Sequence, residues 1–222
     1  MDIKSIFSFD KSIIGNIISG YDEPWKILPD LKDVIYALIE KLPHDEYIFP
    51  KSGVAIAKTA KVAESAHIDA PTVICDSAQI RHCAFIRGGV VIGRGAVVGN
   101  SCEIKNSILF DKAQVPHFNY VGDSILGYAA HLGAGAVTSN VKGNKTTVSI
   151  TLNMGKFDTG LKKLGALIGD FAEIGCGAVL NPGTVIGNSS QIYPLLSVRG
   201  TVPKNSILKK EDHCVKKRET EI

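Results

Sequence analysis

The segment AQVPHFNYVGD places a histidine, an asparagine and a tyrosine close together, at His117, Asn119 and Tyr120. An imidazole exchanges protons near neutral pH, so this histidine is a candidate general base. Arg87 and Lys105 lie eighteen positions apart, and their charges suit a phosphorylated ligand. These residue types would hold such a ligand beside a base, provided that the fold brings them together.

A six-residue repeat decides where these side chains point. A period of six fits neither an α-helix nor an amphipathic strand. It is typical of a solenoid in which each hexad forms one short strand and a turn, and three hexads complete a coil. The aliphatic positions of the repeat are Ile56, Val62, Ile68, Ile74, Ile80, Ile86, Ile92, Val98 and Ile104, and later Ile168, Ile174, Leu180, Ile186, Ile192 and Val198.

The repeat predicts an all-β solenoid whose coils stack at the spacing of paired strands, about 4.8 Å. One coil contains eighteen residues, so Arg87 and Lys105 are expected to stack at the same corner. If Val115 points inward, His117, two positions later, faces outward near a corner. The spacing is altered after Ile104, around the histidine.

The sequence predicts three regions. Residues 1–50 lack the hexad and contain LPDLKDVIYALIEKL, which predicts a helix with Asp30 as its N-cap. We expect this region to be a helical cap over the first coil. Residues 51–205 form the solenoid, with a loop insertion at about 139–167, and residues 206–222 are predicted to be a solvated charged tail.

Composition excludes several classes of function. The chain has 25 basic and 22 acidic residues and a net charge of +3, so no nucleic-acid partner is expected. Its five cysteines include no C-x-x-C pair, which argues against a zinc ribbon or a disulfide framework. No apolar run has transmembrane length and no signal sequence is evident, so a cytoplasmic protein without a membrane partner is expected.

Several motifs identify a family resemblance. IRGG, GNSCEIKNS, VPHFNYVGDSILG, LGAGAVTSN and LKKLGALIGD resemble the acetyltransferase domain of the bifunctional glucosamine-1-phosphate acetyltransferase/N-acetylglucosamine-1-phosphate uridyltransferases, over about residues 80–203. This is a hexapeptide-repeat acyltransferase family. The resemblance implies a left-handed parallel β-helix, a homotrimer with active sites between neighbouring subunits, acetyl-CoA as the acyl donor and no required metal.

The resemblance also implies roles for individual residues. His117 would be the general base, and backbone N–H groups of the Gly-Ala-Gly segment would bind the developing oxyanion. The residues expected to bind the sugar phosphate are Arg87, Lys105, Asn119, Tyr120, His131 and Lys145. Those expected to meet the acetyl-CoA arm are Ala134, Asn140 and Cys176.

The sequence departs from the family pattern in three places. His131 replaces an asparagine that contacts the sugar in related enzymes, so the acceptor is expected to differ. Tyr193 and Pro194 replace small residues near the CoA arm. Residues 1–50 are too short for a nucleotide-binding domain and contain no glycine-rich phosphate loop, so uridyl transfer is not predicted.

Three functional hypotheses follow. The first is an N-acetyltransferase acting on an amino-sugar phosphate or a nucleotide-linked amino sugar. The second is a non-catalytic β-helix, derived from a sugar nucleotidyltransferase, that binds sugar phosphates or a partner. The third is the zinc-dependent carbonic anhydrase variant of this fold, which needs a close histidine pair. The spacing of the four candidates does not supply such a pair: His67, His82, His117 and His131.

Overall fold

The computed structural model describes residues 2–152, 155–210 and 213–217. The helical segments are α1 Gly15–Ser19, α2 Leu31–Ile39 and three 3-10 helices, Lys4–Ile6, Phe9–Lys11 and Pro24–Ile27. The strands are β1 Tyr47–Lys51, β2 Val54–Ala57, β3 Lys61–Val62, β4 His67–Ile68, β5 Thr72–Ile74, β6 Gln79–Ile80, β7 Phe85–Ile86, β8 Val90–Ile92, β9 Val97–Asn100, β10 Glu103–Lys105, β11 Ser107–Leu109, β12 Gln114–His117, β13 Tyr120–Gly122, β14 Ile125–Leu126, β15 His131–Leu132, β16 Val137–Thr138, β17 Ser149–Leu152, β18 Gly155–Asp158, β19 Ala166–Ile168, β20 Glu173–Ile174, β21 Val179–Leu180, β22 Thr184–Ile186, β23 Gln191–Ile192, β24 Ser197–Val198, β25 Thr201–Val202, β26 Ser206–Lys210 and β27 His213–Lys216.

Three parallel sheets form the sides of the solenoid, which confirms the predicted fold class. Sheet A runs in the order β1-β2-β5-β8-β11-β14-β19-β22-β25, with β1 antiparallel to β2. Sheet B contains β3, β6, β9, β12, β15, β20, β23, β26 and β27, and sheet C contains β4, β7, β10, β13, β16, β21 and β24. The chain visits A, B and C in turn, so neighbouring coils pair along all three sides.

The hexad aliphatics fill the interior as predicted. Ile86, Ile104 and Val121 stack in successive coils and are fully buried. The first step spans eighteen residues and the second spans seventeen, because the corner between sheets C and A loses one residue. Asn106 and Asp123 turn these corners with φ of +46° and +49°, a conformation that asparagine and aspartate tolerate. The irregularity after Ile104 is therefore a tighter corner with the ladders intact.

The N-terminal segment covers a side of the solenoid, so the prediction that it caps the first coil is wrong. Leu31 and Ile35 of α2 are fully buried against sheet A, and the Leu28 carbonyl accepts a hydrogen bond from Asn106. Strand β1 instead pairs with β2, at the first-coil end of sheet A. The segment packs there because the outer face of sheet A is apolar, through Val73, Val91, Ile108, Ile125, Leu167 and Val185.

Asp30 does precede α2, but its side chain makes no capping hydrogen bond and accepts one from the Tyr21 hydroxyl at 3.0 Å. Helix α2 ends at Ile39, four residues before Pro43. Within the described residues, no helix is both long and apolar enough to cross a membrane.

The insertion and the C-terminal region both contain strands. Strands β17 and β18 form an antiparallel hairpin whose Val148 and Ile150 are buried beside sheet A, within the predicted insertion. Strand β26 pairs with β23, and β27 folds back on it, so these residues of the predicted tail form strands, and the side chains of β27 are mostly exposed. Residues 153–154 of the insertion and residues 211–212 and 218–222 of the tail lie outside the described residues.

Candidate functional site

His117 ends strand β12, at the corner between sheets B and C. Its N–H donates to the Asn119 Oδ1 at 3.0 Å, and its carbonyl accepts from the Gly135 N–H at 2.9 Å. Phe118 turns the corner with φ of +52°. The backbone is thus fixed on both sides while the imidazole is exposed, as the sequence predicted.

Asn119 supports this corner from inside. Its Nδ2 donates to the carbonyls of Gly133 at 2.8 Å and Ala136 at 2.9 Å, and its exposed fraction is 3%. The structure therefore corrects the prediction that Asn119 contacts the substrate. Its side chain is committed to the backbone, including the N–H of His117.

Ala134 and Cys176 occupy the same corner as His117, one and two coils further on. The Gly135 N–H bonds the His117 carbonyl, and the Gly177 N–H bonds the Ala134 carbonyl at 2.8 Å. Both side chains are exposed. A ligand arm running along this corner would pass Ala134 and Cys176 directly after the imidazole.

Only part of the Gly-Ala-Gly segment is free to bind an anion. The Gly133 N–H donates to the Ile174 carbonyl and the Gly135 N–H to the His117 carbonyl. Across the parts of the chain that the structure describes, the Ala134 N–H has no acceptor. It is the donor in this segment that remains for a developing oxyanion.

A buried carboxylate, which sequence reasoning missed, organises a polar cluster at the opposite edge of sheet C. Asp123 accepts from the Asn106 Nδ2 at 2.9 Å and from the Asn140 Nδ2, and it pairs with the Lys105 Nζ at 3.4 Å. Asn140 also donates to the Tyr120 hydroxyl at 3.2 Å. We call these five residues the Tyr120 cluster. Its signal in the sequence was the aspartate of the VGDS motif, at a corner that needs a left-handed residue.

Asn140 consequently lies in the Tyr120 cluster, across sheet C from Ala134 and Cys176. The structure corrects its assignment to the acetyl-CoA arm within one subunit. Burial, and then the nearby Asp123 carboxylate, raise the pKa of Tyr120. This phenol therefore stays protonated at neutral pH and can donate a hydrogen bond.

Arg87 and Lys105 stack at one edge of sheet C, as predicted, since the Arg87 N–H bonds the Ile104 carbonyl. Each is paired with a carboxylate. The Arg87 Nη1 lies 2.6 Å from the Glu103 Oε1, and this hydrogen bond raises the pKa of Arg87. The two cations thus carry less uncompensated charge than the sequence indicated.

The remaining predicted residues lie outside these groups. His131 projects from sheet B, where its Nδ1 is 2.8 Å from the Glu173 Oε2. Lys145 is exposed in the insertion with φ of +60°. Neither makes a hydrogen bond or ion pair with the Tyr120 cluster among the described residues. Tyr193 and Pro194 are exposed, and Pro194 lies one coil beyond Cys176 at the His117 corner.

Within residues 2–152, 155–210 and 213–217, no three histidine, cysteine or acidic side chains come close enough to hold a metal ion. The cysteines among them are all free.

Known proteins are similar to this chain over the coils that carry His117 and the Tyr120 cluster. The family model described as the GMPPB C-terminal domain matches residues 68–155. The bifunctional protein GlmU of Methanococcus maripaludis (strain C5) is 35% identical over 132 residues, which are 60% of this chain and 32% of that protein. The bifunctional sugar-1-phosphate nucleotidylyltransferase/acetyltransferase of Sulfurisphaera tokodaii is 27% identical over 175 residues, 78% of this chain and 44% of that protein. This chain spans less than half the length of either relative.

A shorter relative matches along most of its length. The uncharacterized acetyltransferase YaiX of Escherichia coli O6:K15:H31 is 30% identical over 164 residues, 73% of this chain and 71% of that protein. The chain belongs to the hexapeptide-repeat acyltransferase family. In this acyltransferase-family member, the part matched by the family model includes His117 and the Tyr120 cluster and ends before Cys176.

Proposed function

We propose that the protein is an acetyl-CoA-dependent N-acetyltransferase whose acceptor is an amino-sugar phosphate or a nucleotide-linked amino sugar. One observation carries the proposal. An exposed, backbone-fixed His117 stands at the head of a corner lined by Ala134 and Cys176, and the Tyr120 cluster lies across the adjoining sheet. An acyl donor and a polar acceptor could therefore approach the imidazole from two sides.

The chemistry follows from this arrangement. The neutral acceptor amine attacks the thioester carbonyl, and His117 takes the proton that the nitrogen loses as the C–N bond forms. The Ala134 N–H faces the oxygen that gains charge. The C–S bond then breaks, and the imidazolium returns the proton to the departing thiolate. Binding selects the unprotonated amine and holds it in line.

The acceptor side rests on Arg87, Lys105 and Tyr120. Guanidinium and ammonium groups at one edge of sheet C suit a sugar phosphate, and the Tyr120 phenol suits a sugar hydroxyl. The Sulfurisphaera relative, a sugar-1-phosphate nucleotidylyltransferase/acetyltransferase, supports this choice. We further propose a homotrimer, with His131 and Lys145 reaching substrate at a subunit boundary.

The alternative is a non-catalytic β-helix that binds a sugar phosphate or a partner. Two observations favour it: the carboxylates paired with Arg87 and Lys105, and the bulky Tyr193 and Pro194 near the proposed donor arm. A binder of this kind has no need for acetyl-CoA, so donor dependence separates the two functions.

The test is thiol release from acetyl-CoA with glucosamine-1-phosphate or galactosamine-1-phosphate, with glucose-1-phosphate as the matched acceptor lacking an amine. Release that requires the amino sugar supports the acetyltransferase. Absence of release with every acceptor, together with absence of CoA binding by calorimetry, rejects it in favour of the binding protein.

A further inference from the structure

Two aromatic side chains lie on the outer face of sheet C, in the coils that precede the Tyr120 cluster. Phe85 of β7 and His67 of β4 have ring centroids 5.5 Å apart and ring planes inclined at 69°. Phe85 is 37% exposed, and His67 is also exposed. The His67 Nε2 lies 3.0 Å from the Asp69 Oδ1, which holds the imidazole in place. The acetyl transfer proposed above assigns no role to either ring.

The register of sheet C places the two rings in line with Tyr120. Glu103 pairs with Tyr120 on one side and with Phe85 on the other, and Phe85 in turn pairs with His67. At about 4.8 Å per coil, Phe85 lies about 10 Å from Tyr120 along the solenoid axis, and His67 about 14 Å. A nucleotide-linked sugar has a comparable build, since a diphosphate and a ribose separate its sugar ring from its base.

The cations between the two ends of this line suit the diphosphate of such a molecule. The Arg87 Cζ is 6.0 Å from the Phe85 ring centroid, and Lys105 lies one coil further along the same edge. Guanidinium and ammonium groups bind phosphates. Arg87 donates to Glu103 through Nη1, which leaves its other N–H groups for a phosphate.

Glu103 supplies an acceptor for sugar hydroxyls. Its Oε1 takes the hydrogen bond from Arg87, and within the described residues its Oε2 has no hydrogen-bond donor. An acidic side chain beside a bound nucleotide commonly accepts from ribose hydroxyls. This carboxylate lies between Phe85 and Tyr120, where the ribose of a nucleotide-linked sugar would be.

The two rings do not belong to the apolar packing on the outside of the solenoid. The N-terminal segment and the β17–β18 hairpin pack beside sheet A, whereas Phe85 and His67 lie on sheet C. Later strands of sheet C carry smaller, non-aromatic residues at the same position: Val137, Val179 and Ser197. The exposed rings are therefore confined to the coils beside the two cations.

We propose that Phe85 and His67 bind the base of a nucleotide-linked amino sugar, so that the preferred acceptor is a nucleotide-linked sugar and not a sugar monophosphate. The inference rests on the acetyl transfer proposed above. The base stacks on Phe85 beside His67, the ribose hydroxyls donate to Glu103, and the diphosphate meets the two cations. The amino sugar then reaches the Tyr120 cluster. A monophosphate would leave the two rings without a partner.

The experiment is isothermal titration of the full chain with UDP, GDP and pyrophosphate, for the parent protein, Phe85→Ala and Phe171→Ala. Pyrophosphate is the matched diphosphate without a base. Phe171 is 52% exposed and has its own aromatic neighbour, Tyr128, so it serves as the matched loss of a ring. The parent is expected to bind a nucleoside diphosphate at least about tenfold more tightly than pyrophosphate. Phe85→Ala should abolish this difference and keep the pyrophosphate affinity, whereas Phe171→Ala should match the parent.

Acetyl transfer supplies a second readout. UDP-glucosamine and glucosamine-1-phosphate present the same amine, and the parent is expected to show the lower KM for UDP-glucosamine. Phe85→Ala should raise that KM about tenfold and leave the KM for glucosamine-1-phosphate and both kcat values unchanged, because the lost contact binds the base alone.

Three results would overturn the inference. The first is equal affinity of the parent for pyrophosphate and both nucleoside diphosphates, which leaves the proposed acetyl transfer intact. The second is a nucleoside diphosphate affinity that Phe85→Ala does not change. The third is an equal loss of affinity in Phe171→Ala, because the effect would then not be specific to Phe85. Base-dependent binding through Phe85 without thiol release from acetyl-CoA with any acceptor would support the nucleotide site and reject the acetyl transfer.

Discussion

At the scale of residues, the backbone of His117 is fixed by hydrogen bonds, whereas its side chain is left free to react. The backbone of His117 is bonded to Asn119 and Gly135, while the imidazole has no protein partner in the described chain. A close approach of strands supports the same corner, since a side chain at Gly99 would collide with the Pro116 carbonyl. The Cα of His117 is therefore fixed in position, and its imidazole is accessible to a ligand.

Replacing Asn119 tests whether its hydrogen bonds fix the backbone of His117. Asn119→Ala leaves the His117 N–H and the Ala136 carbonyl without their side-chain partner, while the Gly133 carbonyl keeps the Ala136 N–H, so we expect unfolding to become easier by about 2 kcal/mol. Urea denaturation measures the change, with Gln114→Ala at an exposed position of β12 as the control. We also expect kcat to fall while the acceptor KM stays constant. Stability equal to that of the control would refute the positioning role.

Cysteine chemistry offers a second residue-scale prediction. Burial raises the pKa of the Cys75 thiol to about 12 and raises that of Cys102, whereas Cys83, Cys176 and Cys214 are exposed. We expect iodoacetamide at pH 8 to alkylate the three exposed thiols of the folded protein first, as read by peptide mass spectrometry. CoA should protect Cys176 and not Cys83. Equal rates at Cys75 and Cys83 would contradict the burial described.

At the scale of elements, the N-terminal segment is part of the solenoid's stability. Ile35 of α2 is fully buried against sheet A, whereas Ile17 of α1 is 41% exposed. Ile35→Ala should lower the free energy of unfolding by about 2–5 kcal/mol, and Ile17→Ala by well under half of that. Urea melts followed by circular dichroism provide the measurement. A separate early transition for the segment would show that it does not fold with the solenoid.

The sequence predicted the elements of the solenoid better than their surroundings. A six-residue period specifies which side chains point inward, and Ile86 and Ile104 stack as expected. It does not say what lies outside the coil. The sequence feature that indicated a covered side was the middle residue of the sheet A strands. This residue, as at Val73 and Val91, is apolar although it points outward. Such residues also suit a strand by propensity alone, so they did not indicate that a helical segment covers them.

The candidate site was predictable only in part for a related reason. Spacing predicted the outward direction of His117 and the stacking of Arg87 and Lys105. The carboxylate of Asp123 lies at a corner where the period changes from six to five, and the inward turn of Asn119 follows a corner that Phe118 turns with a positive φ. Side-chain direction at such a corner follows from local backbone geometry, which the repeat does not encode.

At the scale of the whole molecule, one side of the solenoid is covered and two are open. The N-terminal segment and the insertion occupy sheet A, so association between subunits would use sheets B and C. Phe118 and Leu195, 64% and 83% exposed, project from the corner where these two sheets meet. Large exposed apolar side chains at one edge favour a contact surface there.

We expect light scattering to give a mass three times the 23.7 kDa of one chain. Leu195→Asp should shift the protein toward monomer, because it places a charge in the proposed contact. Ile17→Asp, on the covered side, should not. A monomeric parent protein would refute the proposed assembly.

The measurement that tests the account most directly compares kcat for acetyl transfer to an amino-sugar phosphate in the parent, His117→Ala and His82→Ala. His82 is an exposed histidine at the same corner, two coils before His117, with its Nδ1 near the Ser65 hydroxyl. Loss of a general base should lower kcat about 10²- to 10⁴-fold in His117→Ala, while His82→Ala keeps the parent rate. Activity of His117→Ala equal to that of His82→Ala would contradict the account.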